Sequence, residues 1–175
     1  MRRKVTLAFL MLCCFLLQTS VLSVLEIASV QPNILLILAI SFGFMQGKKE
    51  GIIVGFFCGL VIDIFYGSVL GFYALLYMYI GYLSGFFCKV YFDEDIKVPM
   101  VIVACGDLIY NFAVYLILFL MRGKLSFFSY LSSVMLPEMV YTVLVTIIMY
   151  RIFYRINQWL VKKESRGKQA LWLRN

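Results

Sequence analysis

The stretch KKEGIIVGFFCGLVIDIFYGSVLG, residues 48–71, carries glycine at every fourth position of an apolar run. Gly51, Gly55 and Gly59 are followed at the same spacing by Asp63 and Gly67. Residues four apart lie on nearly the same face of an α-helix. Glycine on that face lets another backbone approach closely, which is how helices associate when lipid supplies no hydrophobic driving force. The stretch therefore predicts a membrane helix whose glycine face packs closely against another helix.

The composition of the whole chain agrees with this interpretation. Of its 175 residues, 63% are hydrophobic and 14% are charged, against about 45–50% and about 25% in soluble domains. A soluble fold could not bury that much apolar surface, whereas a bilayer accommodates helices that are apolar all round. We therefore expect an all-α membrane protein with one integral-membrane domain over residues 1–175.

The apolar runs predict a compact bundle of about six transmembrane helices. The predicted spans are residues 5–25, 32–46, 51–66, 69–88, 99–121 and 137–154, with a basic tail at 155–175. The first run follows three basic residues, like a signal peptide, but it is too long for one, so it is interpreted as an uncleaved helix. Gln18 and Thr19 interrupt this run, and such side chains bond back to a carbonyl or across to another helix.

The second and third spans are short. At about 1.5 Å per residue each covers roughly 24 Å, less than the hydrocarbon core of about 30 Å. Pro32 suits the start of the second helix, where its missing N–H costs nothing, and residues 47–50 form the predicted turn between the two. The pair is interpreted as two full spans, with a helical hairpin packed inside the bundle as the alternative.

The distribution of basic residues predicts the orientation. With the N-terminus in the cytoplasm, fourteen of the sixteen Lys and Arg residues lie on the cytoplasmic side, and only Arg122 and Lys124 lie outside. This asymmetry is a strong positive-inside signal and supports an even number of spans with both termini inside. The predicted location is the cytoplasmic membrane.

Charge and cysteine usage exclude several function classes. The net charge of +7 arises from bases outside the apolar runs, which indicates topology and contact with anionic lipid rather than nucleic-acid binding. The sequence has no histidine, and its five cysteines form no C-x-x-C pair, so no metal site is expected. We expect no cofactor and no catalytic residues.

Polar residues inside the spans mark the candidate interior sites. They are Asp63, Asp107, Asn111 and Glu138. A charged side chain in the bilayer is costly and should face the bundle interior. The open alternatives are an ion or proton relay, a polar ligand pocket, a contact with a partner, and polar groups that only fix helix register. A relay is disfavoured because no basic residue lies near the middle of a span to pair with these acids.

Gly71 ends the opening stretch in the same four-residue register. Gly81 and Gly85, further along the chain, are again four residues apart. The candidate helix-packing or partner groove therefore comprises Gly51, Gly55, Gly59, Asp63, Gly67, Gly71, Gly81 and Gly85. Packing within the chain and docking of a partner's helix are both compatible with this pattern.

The C-terminal end of the sixth span carries a candidate interface with lipid headgroups or a cytoplasmic partner. Its residues are Arg151, Arg155, Trp159, Lys162 and Lys163. Tryptophan is enriched at the membrane–water interface, and each base near an anionic surface contributes about 1 kcal/mol.

Several of these residues together resemble the MreD family of bacterial rod shape-determining membrane proteins. The resemblance is carried by Lys49-Glu50-Gly51, Gly55-Phe56, Gly59-Leu60, Asp63, Gly67-Ser68 and Leu70-Gly71, with Pro32-Asn33, Leu136-Pro137 and Tyr141 as further matches. It implies a non-enzymatic part of the complex that elongates the cell wall, with a fold similar to that of the S components of energy-coupling-factor transporters.

The resemblance also implies partners. The expected direct partner is the bitopic protein MreC, and beyond it MreB filaments, RodA and a class B penicillin-binding protein. The helix with the glycines and Asp63 would be the family's central helix, placed for bundle packing or for MreC. The leading hypothesis is thus a membrane scaffold that helps to organise peptidoglycan synthesis and cell shape.

Two other functions remain open from the sequence. One is a transporter subunit that binds a small ligand, as an S component does, with Asp63, Asp107 and Glu138 as its polar groups. The other is an intramembrane enzyme that uses a pair of aspartates, for which Asp63 and Asp107 are the candidates.

Overall fold

The computed structural model describes residues 2–21, 31–67, 70–90, 97–122 and 127–172. The fold is all-helical, with six main helices. These are α1 (Arg2–Leu16), α2 (Ile34–Gln46), α3 (Lys48–Tyr66), α4 (Phe72–Ser84), α5 (Lys97–Arg122) and α6 (Leu136–Trp172). A π-helical turn, Leu17–Val21, extends α1, and a 3-10 turn, Gly85–Val90, extends α4. A helical turn, Phe127–Tyr130, and a π-helical turn, Leu131–Met135, lead into α6.

The second helix, α2, forms the centre of the bundle. Every residue from Ile34 to Met45 is buried, and α1, α3, α4, α5 and α6 all pack against it. A helix that is apolar all round is stable only when it is surrounded. The expectation that the glycine-bearing helix is the central one is wrong, because α3 lies beside α2 and packs on it from one side.

The ends of α2 are fixed by two local devices. The Asn33 side chain caps the helix by accepting a hydrogen bond from the Leu36 N–H at 3.1 Å, and Pro32 lies one residue before this cap. At the other end Gly47 has φ of +94°, a conformation that glycine adopts without steric cost. A single residue therefore separates α2 from α3, where the sequence predicted a turn of four.

The last helix continues beyond the predicted span. It runs without a break through residue 154 to Trp172, so most of the predicted basic tail is helical. Pro137 lies in its first turn, directly after the π-helical turn. Because proline removes one backbone donor and crowds the preceding turn, a wider turn at this point accommodates it. Residues 127–135, between the fifth and sixth predicted spans, are also helical.

The outer surface of the bundle is apolar. Val5, Phe9, Leu75, Val101 and Ile148 are all more than half exposed, and contiguous exposed apolar surface is typical of a membrane or protein contact. Two helices, Lys97–Ile117 and Leu131–Lys162, are long and apolar enough to cross a membrane. Shorter apolar helices are Val5–Ser20, Ile34–Gln46 and Phe72–Cys88.

Parts of several predictions lie outside the described residues. These are residues 22–25 of the first predicted span, Ser68 and Val69 before α4, Lys124 on the predicted outer side, and residues 173–175 of the tail. The side chain of Lys163 is likewise outside the description.

Candidate functional site

The glycine face of α3 lies directly against α4, which runs antiparallel to it. A Cβ atom added at Gly59 would lie 2.5 Å from the Cα of Ala74 and 2.6 Å from the carbonyl carbon of Tyr73. One turn earlier, a Cβ at Gly55 would lie 2.8 Å from the carbonyl carbon of Tyr77. These neighbours are backbone atoms, which cannot rotate away. The surface that the sequence offered to either a partner or the chain itself is therefore occupied by α4.

A second group of glycines extends this contact toward α2. Gly51 and Gly81 pack on each other's backbone, and a Cβ at Gly51 would lie 2.9 Å from the Cα of Gly43. Ser84 donates a hydrogen bond to the Gly81 carbonyl at 2.8 Å. Three helices thus meet at one point with almost no side chains between them. Gly85 is the last glycine of the series. A Cβ there would lie 2.5 Å from the Cα of Lys48, so this contact is equally close.

Gly67 and Gly71, predicted on the same face, occupy the connection between α3 and α4 instead. Gly67 ends α3 by donating its N–H to the Asp63 carbonyl at 3.1 Å. Gly71 precedes α4 with φ of +97°, and no atom lies within 4 Å of a Cβ placed on it. Their role is to shape the turn rather than to pack helices.

Asp63 ties the end of α3 to the start of α4. Its side chain is only 2% exposed, and its two carboxylate oxygens accept hydrogen bonds from the N–H groups of Tyr73 at 3.0 Å and Ala74 at 2.8 Å. The first turn of a helix leaves N–H groups without intrahelical partners and carries partial positive charge. Asp63 therefore acts as the N-terminal cap of α4, supplied from a neighbouring helix. Both of its oxygens are engaged in this cap.

A polar network joins α2 to α4, α6 and α1. Tyr77 donates its hydroxyl hydrogen to Asn33 Oδ1 at 2.6 Å, and the Asn33 N–H donates to Thr142 Oγ1 at 3.3 Å. Gln18 accepts a hydrogen bond from the Leu35 N–H at 3.1 Å. Asn33 and Tyr77 are buried, and buried polar groups stabilise a unique arrangement only when they are paired.

Replacing Tyr77 with phenylalanine tests this network. The change removes one buried hydrogen bond without altering the ring, so we expect a loss of about 1 kcal/mol in unfolding free energy. Tyr79→Phe on the same helix is the matched control, because Tyr79 is 54% exposed. Thermal melting of the two purified variants in one detergent measures the difference. Equal melting points would contradict the assigned role of the Tyr77 hydroxyl.

Three polar residues line up between α5 and α6. Asp107 is fully buried and Asn111 is 2% exposed. Asn111 donates to the Asp107 carbonyl at 3.1 Å and lies 3.5 Å from Asp107 Oδ2, and the Glu138 carboxyl lies beside the Asn111 side chain. Among the described residues, Asp107 Oδ1 has no hydrogen-bond partner. This arrangement joins three of the four polar residues that the sequence singled out, whereas Asp63 lies apart as a cap.

Glu138 also lines a small polar cleft at the end of the bundle where α2, α4 and α6 begin. The polar cleft has a volume of about 190 Å³. Its lining residues are Gln18, Gln31, Asn33, Tyr66, Tyr73, Tyr110 and Glu138, with Ile62 as an apolar neighbour. Glu138 is the charged residue among them. The Tyr110 ring packs on two others, 6.2 Å from Tyr73 and 5.6 Å from Tyr77 between centroids.

A larger apolar groove runs along the outside of the bundle between α4 and α5. It has a volume of about 560 Å³. Its lining residues are Ile80, Leu83, Ser84, Phe87, Lys97, Val98, Val101, Ile102, Cys105, Gly106 and Ile109. Unlike the glycine face, this surface is left open by the described residues.

The opposite end of the bundle carries the basic candidates. The side chains of Gln46 and Asn157 hydrogen-bond there and connect α2 to α6. The Lys48 ammonium lies 3.3 Å from the centroid of the Phe86 ring, a favourable cation–π geometry. The four described residues of the predicted headgroup interface, Arg151, Arg155, Trp159 and Lys162, are all exposed on α6.

Cysteines and acidic residues form no metal centre within the described part of the chain. No group of three or more Cys, Asp or Glu side chains there is close enough to hold an ion. The five cysteines are unpaired thiols, with Cys14 and Cys58 buried and Cys105 exposed.

Some residues of the site were missed at the level of sequence. Tyr73 and Tyr77 precede Gly81 and Gly85 at the same four-residue spacing, so this register could have identified the face of α4 that meets α3. The pairs Asn33–Thr142 and Gln46–Asn157 are separated by 109 and 111 residues, and no local pattern indicates them.

Taken together, these features describe an all-helical bundle with an apolar exterior, in which two helices are long and apolar enough to cross a membrane. The chain belongs to the MreD family, because the family described as rod shape-determining protein MreD matches residues 2–159. This is a membrane protein family of shape-determining structural proteins and not a known enzyme family. A role in rod shape determination follows from membership. No curated protein matches the chain, and no solved structure does.

Proposed function

We propose that this protein is a non-enzymatic scaffold of the bacterial cell-elongation complex that binds MreC in the cytoplasmic membrane. Family membership over residues 2–159 is the observation that carries the proposal. Through MreC the scaffold would connect to MreB filaments, RodA and a class B penicillin-binding protein, and so help to organise peptidoglycan synthesis.

The proposed topology has six spans with both termini in the cytoplasm. It is supported by the placement of fourteen of the sixteen bases on one side. In this orientation the polar cleft opens toward the outer side, and Arg151, Arg155 and Lys162 meet anionic lipid on the inner side. The 13 residues of α2 need not match the thickness of the bilayer, because the other helices surround them.

The glycine face is unavailable to a partner, so we place the MreC contact on the apolar groove between α4 and α5. A single membrane helix of the partner is apolar, and association of helices in lipid depends on close van der Waals packing. The groove supplies a concave apolar surface for this packing, and its lining runs along α5 from Lys97 to Ile109, about 18 Å.

Filling the groove should weaken the partner contact. Val101 lines the groove and is 62% exposed, so Val101→Trp adds bulk there without disturbing the core. We expect at least about a tenfold loss of co-purified MreC, equivalent to about 1.4 kcal/mol, together with wider cells. Ile148→Trp is the matched control, since Ile148 is 63% exposed on α6 and lies outside the groove. Unchanged MreC recovery with Val101→Trp would place the contact elsewhere.

The geometry supports the transporter alternative less well. Pockets that enclose a drug-sized ligand measure about 300–1,000 Å³, and the polar cleft measures about 190 Å³. A vitamin-sized molecule would need a rearrangement of the helices around it.

A further inference from the structure

We infer that the polar cleft is a binding site for one small organic cation, an alkylammonium or alkylguanidinium group. The inference concerns a different surface from the proposed MreC groove and holds whether or not MreC binds there. It rests on three features of the cleft, which are its charge balance, its lining residues and its size.

The charge of the cleft is unbalanced. Glu138 lines it and is the acidic residue of the lining. No lysine or arginine is among the described lining residues. A carboxylate in a poorly hydrated site is stabilised by a cation that it contacts directly. An anionic ligand would find no opposite charge here.

The remaining lining suits an organic cation better than a metal ion. The faces of aromatic rings attract ammonium and guanidinium groups, and Tyr110, which lines the cleft beside Tyr73, is held in place by ring contacts on two sides. A metal ion would require several strong ligands, and the described residues offer no group of three. The side-chain oxygens of Gln18 and Asn33 already accept backbone hydrogen bonds. These bonds hold the two side chains in position in the wall of the cleft.

The size of the cleft limits the ligand to a head group with a short alkyl chain. A volume of about 190 Å³ is below that of pockets for drug-sized molecules. Two sources can supply such a cation to the cleft. One is a free small amine or guanidine, and the other is the basic side chain of a partner polypeptide that reaches into the cleft.

The test compares two probes of the same shape on the full chain in detergent. Ethylguanidinium carries the charge, whereas ethylurea is planar, similar in size and neutral. We expect ethylguanidinium to raise the melting temperature of the protein in a saturable manner and ethylurea to have no such effect. An absent or non-saturable response to ethylguanidinium, or an equal response to ethylurea, would overturn the inference. This comparison uses the unaltered chain and so does not depend on the folding of a variant.

Glu138→Gln then tests the assigned carboxylate. We expect at least about a tenfold weaker apparent affinity for ethylguanidinium, because the neutral amide removes one partner of a desolvated charge pair. Glu50→Gln, the same change at the other end of the bundle, is the control and should keep the wild-type affinity. Equal affinity in the wild type and Glu138→Gln would also overturn the inference.

A crosslinking arm identifies the source of the cation once binding is established. Tyr66 lines the cleft and is 65% exposed, so Tyr66→p-benzoylphenylalanine places a photoreactive group there in cells. A crosslinked polypeptide that ethylguanidinium suppresses indicates a basic side chain of a partner. Binding of ethylguanidinium without any crosslinked polypeptide indicates a free small cation.

Discussion

Gly59→Leu is expected to abolish the folded protein, the largest effect of any single substitution considered for this chain. A Cβ at this position already lies 2.5 Å from the Cα of Ala74, and the nearest atoms belong to the backbone of α4. Even Gly59→Ala should destabilise the fold by about 1–3 kcal/mol, the usual cost of overpacking a close contact. Leucine would force α3 and α4 apart and disrupt the contact of both with α2.

The measurement is the yield of monodisperse protein and its melting temperature in detergent, with cell width as the functional readout. We expect a graded series in which the wild type is the most stable, Gly59→Ala is intermediate, and Gly59→Leu is not recovered. Phe57→Leu provides the control, because it introduces the same side chain on the same helix at a position that is 52% exposed. Recovery of Gly59→Leu with the wild-type melting temperature would contradict the close α3–α4 contact.

Leucine substitutions in the glycine series cannot serve as a test of partner binding. A partner's helix and a helix of the same chain make the same demand for small residues, and α4 already occupies this face. In the structure, loss of the partner after such a change would follow from loss of the fold. Partner binding has to be tested on the apolar exterior instead, as at Val101.

The sequence predicted the local geometry of the helices well, but it predicted poorly which helices pack against each other. The four-residue register identified the face of α3 that packs closely, because helix periodicity is a local property. It did not show that α2 lies at the centre, since lipid-facing and protein-facing helix surfaces are both apolar and composition does not separate them. The short length of α2 was evident from the sequence. The structure explains it, because the other helices bury α2.

Polar contacts divide in the same way, into contacts between residues close in the sequence and contacts between residues far apart in it. Asp63 and its partners Tyr73 and Ala74 are 10 and 11 residues apart, so a tight turn between two predicted helices could have suggested the cap. Asn33 and Thr142 are 109 residues apart, and their contact depends on how α2 and α6 are arranged in space. The polar cleft takes residues from α3, α4, α5 and α6 and from the segments that follow α1 and precede α2, so it could not be derived from any one stretch.

The second large effect is expected at Asp63, where two substitutions separate its possible roles. Asp63→Ala leaves the N–H groups of Tyr73 and Ala74 without acceptors inside the bundle. Each unpaired buried donor costs about 1–3 kcal/mol, so we expect a loss of about 2–6 kcal/mol in stability. Asp63→Asn keeps one oxygen and can accept one of the two bonds, and asparagine caps helices about as well as aspartate.

We therefore expect Asp63→Asn to retain about half of the stability that Asp63→Ala loses, and to support nearly normal cell width. Melting of both purified variants and width measurements in cells that carry each one provide the comparison. A role for the negative charge, in ion movement or in attraction of a basic partner, would make the two variants equally defective, because both remove the charge. If Asp63→Asn melts like the wild type and yet fails to maintain cell width, capping alone does not explain this residue. The expected order, in which stability and cell shape both follow the number of hydrogen bonds kept, would identify Asp63 as the residue that holds α4 against α3.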